Sequence, residues 1–303
     1  MSMDILELIE ENYALKPLRW KQKNEVMETD SGTKRLRIWS SEQLMNWHFH
    51  WREQLESNDL LTDRMIRTRR GKWHLPYEGS FLTLHDERYE PFPKNGYEQN
   101  WGFLIGRLLT NSINQMSDNQ EHVQESRDEL YRSFGLHRTD LNLPLLNRSI
   151  PEARKRLTTF DNIRSRYRHL KIPYLESTLM THQGKRVHGR FFWQGGEGEP
   201  QRGLQGLCEL LSDWRISTDT QSLYKLLDSI HETFPIEGGY DQLLAAELIA
   251  PREVQRCIQR LESGETNTTS ATLDQFEREW EANRTLVEEV CHWIDHRSKK
   301  VIT

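Results

Sequence analysis

Residues 181–196 read THQGKRVHGRFFWQGG, and residues 206–227, after a glycine-bearing gap, read GLCELLSDWRISTDTQSLYKLL. His188-Gly189 opens a short apolar segment. A second apolar segment ends in Asp213-Trp214-Arg215 and runs into a helix. Leu223, Leu226, Leu227 and Ile230 recur at helical spacing, and an aspartate at position 219 suits the N-cap of that helix. Loop, apolar segment, acid-ended segment and helix form an order that carries chemistry only if the charged residues stand in the right places.

Upstream of this stretch the pattern is mixed. Ile5, Leu6, Ile9 and Tyr13 predict a short amphipathic helix. Glu25–Thr29 and Lys34–Trp39 read as strands around Asp30-Ser31-Gly32, a turn with glycine available for positive φ. Ser40 or Ser41 caps a helix with Leu44, Trp47, Trp51 and Leu55 on its apolar face. A hairpin is expected from Met65 to Leu75 around Arg69-Arg70-Gly71-Lys72, then a strand over Ser80–His85. These elements make a small α+β lobe on an antiparallel sheet, residues 1–95.

From Trp101 the chain turns helical, with Leu104, Ile105, Leu108 and Leu109 completing an apolar stripe. The larger lobe, residues 96–303, is mostly helical and carries a polar insert around 114–150. Asn114–Glu129 reads as an exposed helix or mobile insert, and Asn142–Ile150 as a loop. Pro151 suits the first turn of a helix reaching about Leu170. Further helices are predicted over Tyr240–Ile249, from Pro251 to near Gly264 and, after the polar connector Ser263–Ser270, from Thr272, where Gln275 completes a capping-box spacing. The last presents Phe276, Trp280, Val287, Val290 and Ile294.

The chain has 303 residues, a net charge of −5 and 10 tryptophans, enough for a full core and no global reason to bind nucleic acid or an anionic membrane. Three cysteines without CxxC spacing argue against zinc and a disulfide framework. The acidic amphipathic N-terminus does not read as a signal peptide, and no apolar run is long enough to span a bilayer. A cytoplasmic protein is expected.

Asp4–Tyr13, KRLRIW (34–39), WREQLE (51–56), IRTRRGKWHL (66–75) and HGRFFW…SDWRISTDTQSLYKLL together resemble the spore-coat-associated kinase-like proteins. These are the coat protein S and YutH-like group within the aminoglycoside phosphotransferase and choline kinase-like fold. The resemblance implies an α+β, protein-kinase-like two-lobe fold, a cytoplasmic origin in the mother cell, a place in the spore coat, and other coat proteins as partners.

Phosphoryl transfer in such folds is positioning and charge stabilisation, so a few charged groups are indispensable. By the resemblance, Arg37 stands where a small-lobe lysine holds nucleotide phosphates, with a planar fork in place of a compact ammonium. Lys34 would serve only after a register change. The family's catalytic loop reads His-Gly-Asp with an asparagine a few residues on. Here His188 and Gly189 are followed by Arg190, which cannot accept a proton. The metal-binding acid should end a short strand a few residues before an arginine. Alignment on Arg215 puts Leu210 at that position and Ser212 at the second acid, with Glu209 and Asp213 displaced by one residue and Asp219 at the helix that follows. Gly195-Gly196 suit a hairpin turn.

No catalytic residue and no metal ligand survive this comparison, so the expected function is a pseudokinase acting in the spore coat by protein–protein interaction, without a cofactor. Two alternatives remain open: a phosphotransferase using ATP and magnesium through Glu209, Asp213 or Asp219, and a nucleotide or metabolite sensor on the same scaffold. His48 and His50, at i,i+2, face different directions and read as packing residues. The basic clusters Arg64–Lys72 and Arg164, Arg166, Arg168 and Lys171 would suit a phosphate or an acidic partner, or in the second case the dipole of a helix C-terminus. Trp39, Trp47, Trp51, Trp73, Trp101, Trp193, Trp214, Trp280 and Trp293 read as core.

Overall fold

The computed structural model describes residues 4–55, 60–115, 144–176, 178–263 and 269–300. They divide into two units, one comprising the described residues up to Pro93 together with Thr178–Glu199, the other the remainder from Lys94. A boundary at residue 95 therefore leaves out Thr178–Glu199, which the pairing of its strands joins to the first unit.

The first unit opens with α1 (Ile5–Asn12), capped by the Asp4 side chain, followed by β1 (Pro17–Gln22), β2 (Val26–Thr29) and β3 (Gly32–Trp39). Then come α2 (Glu42–Glu53), β4 (Leu60–Thr62), β5 (Leu75–Tyr77) and β6 (Ser80–Asp86). Ser41 caps α2 through the Leu44 amide. Five strands form one antiparallel sheet in the order β1-β2-β3-β6-β5. Leu36, Leu82 and Leu84 on one face pack with Ile5, Ile9 and Tyr13.

β1 escapes the sequence pattern because it is a largely exposed edge strand, which needs no apolar alternation and tolerates Pro17 at its first position. The expected hairpin over Met65–Leu75 is only a turn: the Thr68 amide bonds the Lys72 carbonyl, and Met65 bridges His85. β8 (Gly184–Val187) and β9 (Arg190–Trp193) form an antiparallel hairpin, and β4 pairs parallel to β9. That long-range pairing carries Thr178–Glu199 into this unit.

The second unit begins with α3 (Glu98–Gln115). α4 (Pro144–Arg166), β7 (Tyr174–Glu176), β10 (Pro200–Arg202) and α5 (Gln205–Ser217) follow. α6 (Thr220–Thr233), α7 (Tyr240–Ile249), α8 (Arg252–Ser263) and α9 (Thr269–Lys300) complete it. β7 and β10 pair antiparallel. Residues 144–150 are helix rather than loop, and Pro151 lies inside α4 rather than at its start. The cause is burial: Leu146, Ile150, Ala153, Leu157 and Phe160 make one stripe against Val254, Cys257, Phe276 and Trp280. That apolar contact outweighs the bond to Asn147 that Pro151 cannot donate.

α9 starts at Thr269, so Thr272, fully buried, lies inside the helix rather than at its start. Residues 116–143, which hold most of the polar insert, and 264–268 of the connector lie outside the described residues. Among the described residues, no helix is long and apolar enough to cross a membrane.

Candidate functional site

The buried chemistry of the first unit sits on one face of its sheet. Arg35, Arg37 and Trp39 of β3 lie opposite His85, Thr83 and Phe81 of β6, and these side chains share the face away from Leu36 and Leu84. Apolar alternation alone would turn Ile38 inward, yet Ile38 is 41% exposed while Arg37 is 2% exposed. A buried guanidinium is tolerable only when its donors are met.

Arg37 places Nη2 3.0 Å from Asp63 Oδ2 and donates to the carbonyls of Gly196 at 2.6 Å and Gln194 at 2.9 Å. Its Nε lies 3.4 Å from Glu197. Arg52 of α2 donates to the same Gly196 carbonyl at 2.6 Å. His48, on the same helix, bonds the Gly198 carbonyl at 2.9 Å. Two guanidiniums thus clamp the segment after β9 around a single fully buried carboxylate. Gly195 takes a φ of +64° there, with Arg52 Nε 2.6 Å from where a Cβ would stand. The space is filled by arginine, and Gly195-Gly196 make a backbone seat for it instead of a hairpin turn.

A polar relay supports the acid. The Trp39 indole donates to Thr83 Oγ1 at 2.7 Å, Thr83 lies 2.8 Å from His85 Nε2, and His85 Nδ1 is 3.1 Å from Asp63 Oδ1. Because the carboxylate only accepts, the proton sits on Nδ1 and the Thr83 hydroxyl donates to Nε2. Burial lowers the His85 pKa and outweighs the pull of Asp63, so the ring is neutral. Burial works against the Asp63 carboxylate too, but His85, Arg37 and Arg52 prevail and hold its pKa below the usual aspartate value. His48 is pushed well down by burial and by Arg52.

The positions singled out in the sequence do not meet. His188 (φ 50°) and Gly189 (φ 78°) are the two central residues of the β8–β9 hairpin, both left-handed and exposed, as a tight hairpin turn requires. Arg190 opens β9 and is exposed. HGR is turn chemistry here. Leu210 and Ser212 lie inside helix α5, not at the end of a strand, with Leu210 wholly buried. Lys34 is on the opposite face from Arg37, bonded to Asp86 at 2.7 Å and to the Ser31 carbonyl at 2.8 Å.

The displaced acids are each engaged elsewhere. Glu209 is 3.5 Å from Arg256, Asp213 is 3.7 Å from Lys94, and Asp219 caps α6 through the Ser222 amide at 2.8 Å. Arg215 holds Glu289 at 2.8 Å. Among the described residues no three His, Cys, Asp or Glu side chains gather as metal ligands would.

A short strand and a preceding turn, the setting expected of the two acids, lie upstream of Leu210 instead. The short strand of this region is β9, and the residue just after it is Gln194. The turn before β8 is Thr181–Gln183. Gln194 donates to Glu87 at 3.0 Å, and Gln183 accepts from the Met180 amide at 2.7 Å. Sequence reasoning missed these glutamines, and Asp63, Arg52 and His85 with them. Nothing in local spacing marks residues that meet across separations such as the 159 positions between Arg37 and Gly196.

No family model matches the chain, and no curated protein matches it. Solved structures do. An aminoglycoside phosphotransferase from Alicyclobacillus acidocaldarius superposes with a TM-score of 0.67 at 10% identity, covering 98% of each chain. Spectinomycin phosphotransferase APH(9)-Ia, solved with ADP and spectinomycin, gives 0.59 at 9% identity over 97% of this chain and 98% of that one. Choline kinase LicA from Streptococcus pneumoniae gives 0.56 at 9% identity over 93% and 98%. At such identities the likeness is one of fold: the chain has the α+β, protein-kinase-like two-lobe architecture of the aminoglycoside phosphotransferases and choline kinases.

Proposed function

We propose that this protein is a pseudokinase, a kinase-like scaffold without phosphoryl transfer that works by binding other proteins. The observation that carries the reading is the engagement of Arg37. Its guanidinium is taken up by an ion pair with Asp63, a longer one with Glu197 and hydrogen bonds to three successive carbonyls, with Nε alone lacking a hydrogen bond. Gln183 and Gln194 support it, since a neutral amide neither takes a proton nor neutralises a metal as a carboxylate does. ATP with magnesium does not fit this residue set. The spore coat as setting, coat proteins as partners and origin in the mother cell rest on the resemblance of KRLRIW, WREQLE and IRTRRGKWHL.

The test is a thermal-shift titration with ATP and magnesium beside an ATP-turnover assay. The reading expects no shift at millimolar nucleotide and no turnover. Turnover abolished by Asp213→Ala or Glu209→Ala would establish the displaced-acid phosphotransferase instead, and a shift persisting in EDTA without turnover a nucleotide sensor. Absence of the protein from purified spore coats would remove the coat assignment alone.

A further inference from the structure

The basic residues at the end of α4 meet a third arginine from another element. Arg164 in the last turn of α4, Arg168 just beyond it and Arg202 at the end of β10 line one cavity of about 140 Å³. Tyr167 and Gly203 also line it. Arg164 and Arg202 are half-buried and Arg168 is exposed. The helix dipole accounts for cations at the end of α4 but not for one arriving on β10.

None of the three guanidiniums has a carboxylate partner among the described residues, though Arg164 lies over the Phe160 ring at 5.1 Å. The one acid of the lining, Glu247, is neutralised by Arg252, which also donates to its carbonyl at 2.7 Å. Three like charges around a recess with room for several waters repel one another until an anion enters. Planar guanidinium forks suit oxygen pairs on a tetrahedral anion.

We propose that this cavity binds a tetrahedral oxyanion, either inorganic phosphate or the phosphoryl group of a small phosphate monoester. The site lies within the second unit and does not depend on the loss of phosphoryl transfer. It is tested by calorimetric titration of the full chain with inorganic phosphate and, separately, with phosphoserine, chloride holding the ionic strength constant. Saturable binding is expected, weakened roughly tenfold or more by Arg202→Gln or Arg164→Gln, because each removes charge-assisted bonds. Arg168→Gln, at an exposed position, gives the same direction without risk to folding. Arg154→Gln, on the same helix away from the cavity, should change nothing. Tighter binding of phosphoserine assigns the ester; equal or weaker binding assigns free phosphate. Heats indistinguishable from a chloride blank, unchanged affinity in the three cavity variants, or an equal loss in Arg154→Gln would overturn the proposal.

Discussion

Asp63 shows how much can rest on one side chain. It is fully buried beside two guanidiniums, and replacing it leaves them with only the half-exposed Glu197 near Arg37. Asp63→Asn keeps the shape and removes the charge. We expect it to lower stability by about 3–5 kcal/mol, read as a fall in urea midpoint at unchanged m-value. The buried imidazoles add a pH dependence. His48 and His85 have folded pKa values below the ordinary 6.5, so each favours folding when neutral. Their contribution is complete above pH 6.5 and falls as pH drops below it toward the folded values, by up to roughly 1.4 kcal/mol per ring per pH unit. Urea midpoints should be flat above neutrality and decline between pH 6.5 and 5, with about half the slope lost in His85→Gln. A midpoint that rises on acidification would refute neutral rings.

Among the elements, those with a strong local signal formed where the sequence placed them: the Ser41-capped helix, Asp219 at the start of α6, and Tyr240–Ile249. α4 is the instructive departure, because its apolar stripe persists through a proline. Pro151→Ala restores a donor at an exposed position, and we expect it to raise stability by about 1–3 kcal/mol in denaturant titrations. Close packing of α3 on α6 works the other way. A Cβ at Gly102 would lie 2.9 Å from the Ile230 backbone nitrogen, which cannot step aside as a side chain can. Gly102→Ala should therefore destabilise by about 1–3 kcal/mol, overpacking outweighing the helix propensity it gains. Equal or higher stability in that variant would mean the two helices separate readily.

For the whole molecule, the tryptophans report how completely the core is buried. All 10 are buried or half-buried, including the nine that read as core. The native protein should accordingly show blue-shifted emission poorly quenched by iodide, with quenching rising steeply only in denaturant. Strong native quenching would place tryptophans on the surface, where they would mark a partner site. The sequence by itself determined the α+β class, the order of most elements and the absence of an acid after His188-Gly189, since those follow from periodicity, caps and residue identity. Tertiary structure alone decided what the opening stretch is. Parallel pairing of β9 with β4 carried residues 178–199 into the first unit, antiparallel pairing of β8 with β9 made His188-Gly189 a hairpin turn, and residues 206–217 lie in a helix. Tertiary structure also gathered Arg37, Arg52, Asp63 and His85 into one buried network, because charges far apart in the chain become neighbours only when strands and helices set them face to face.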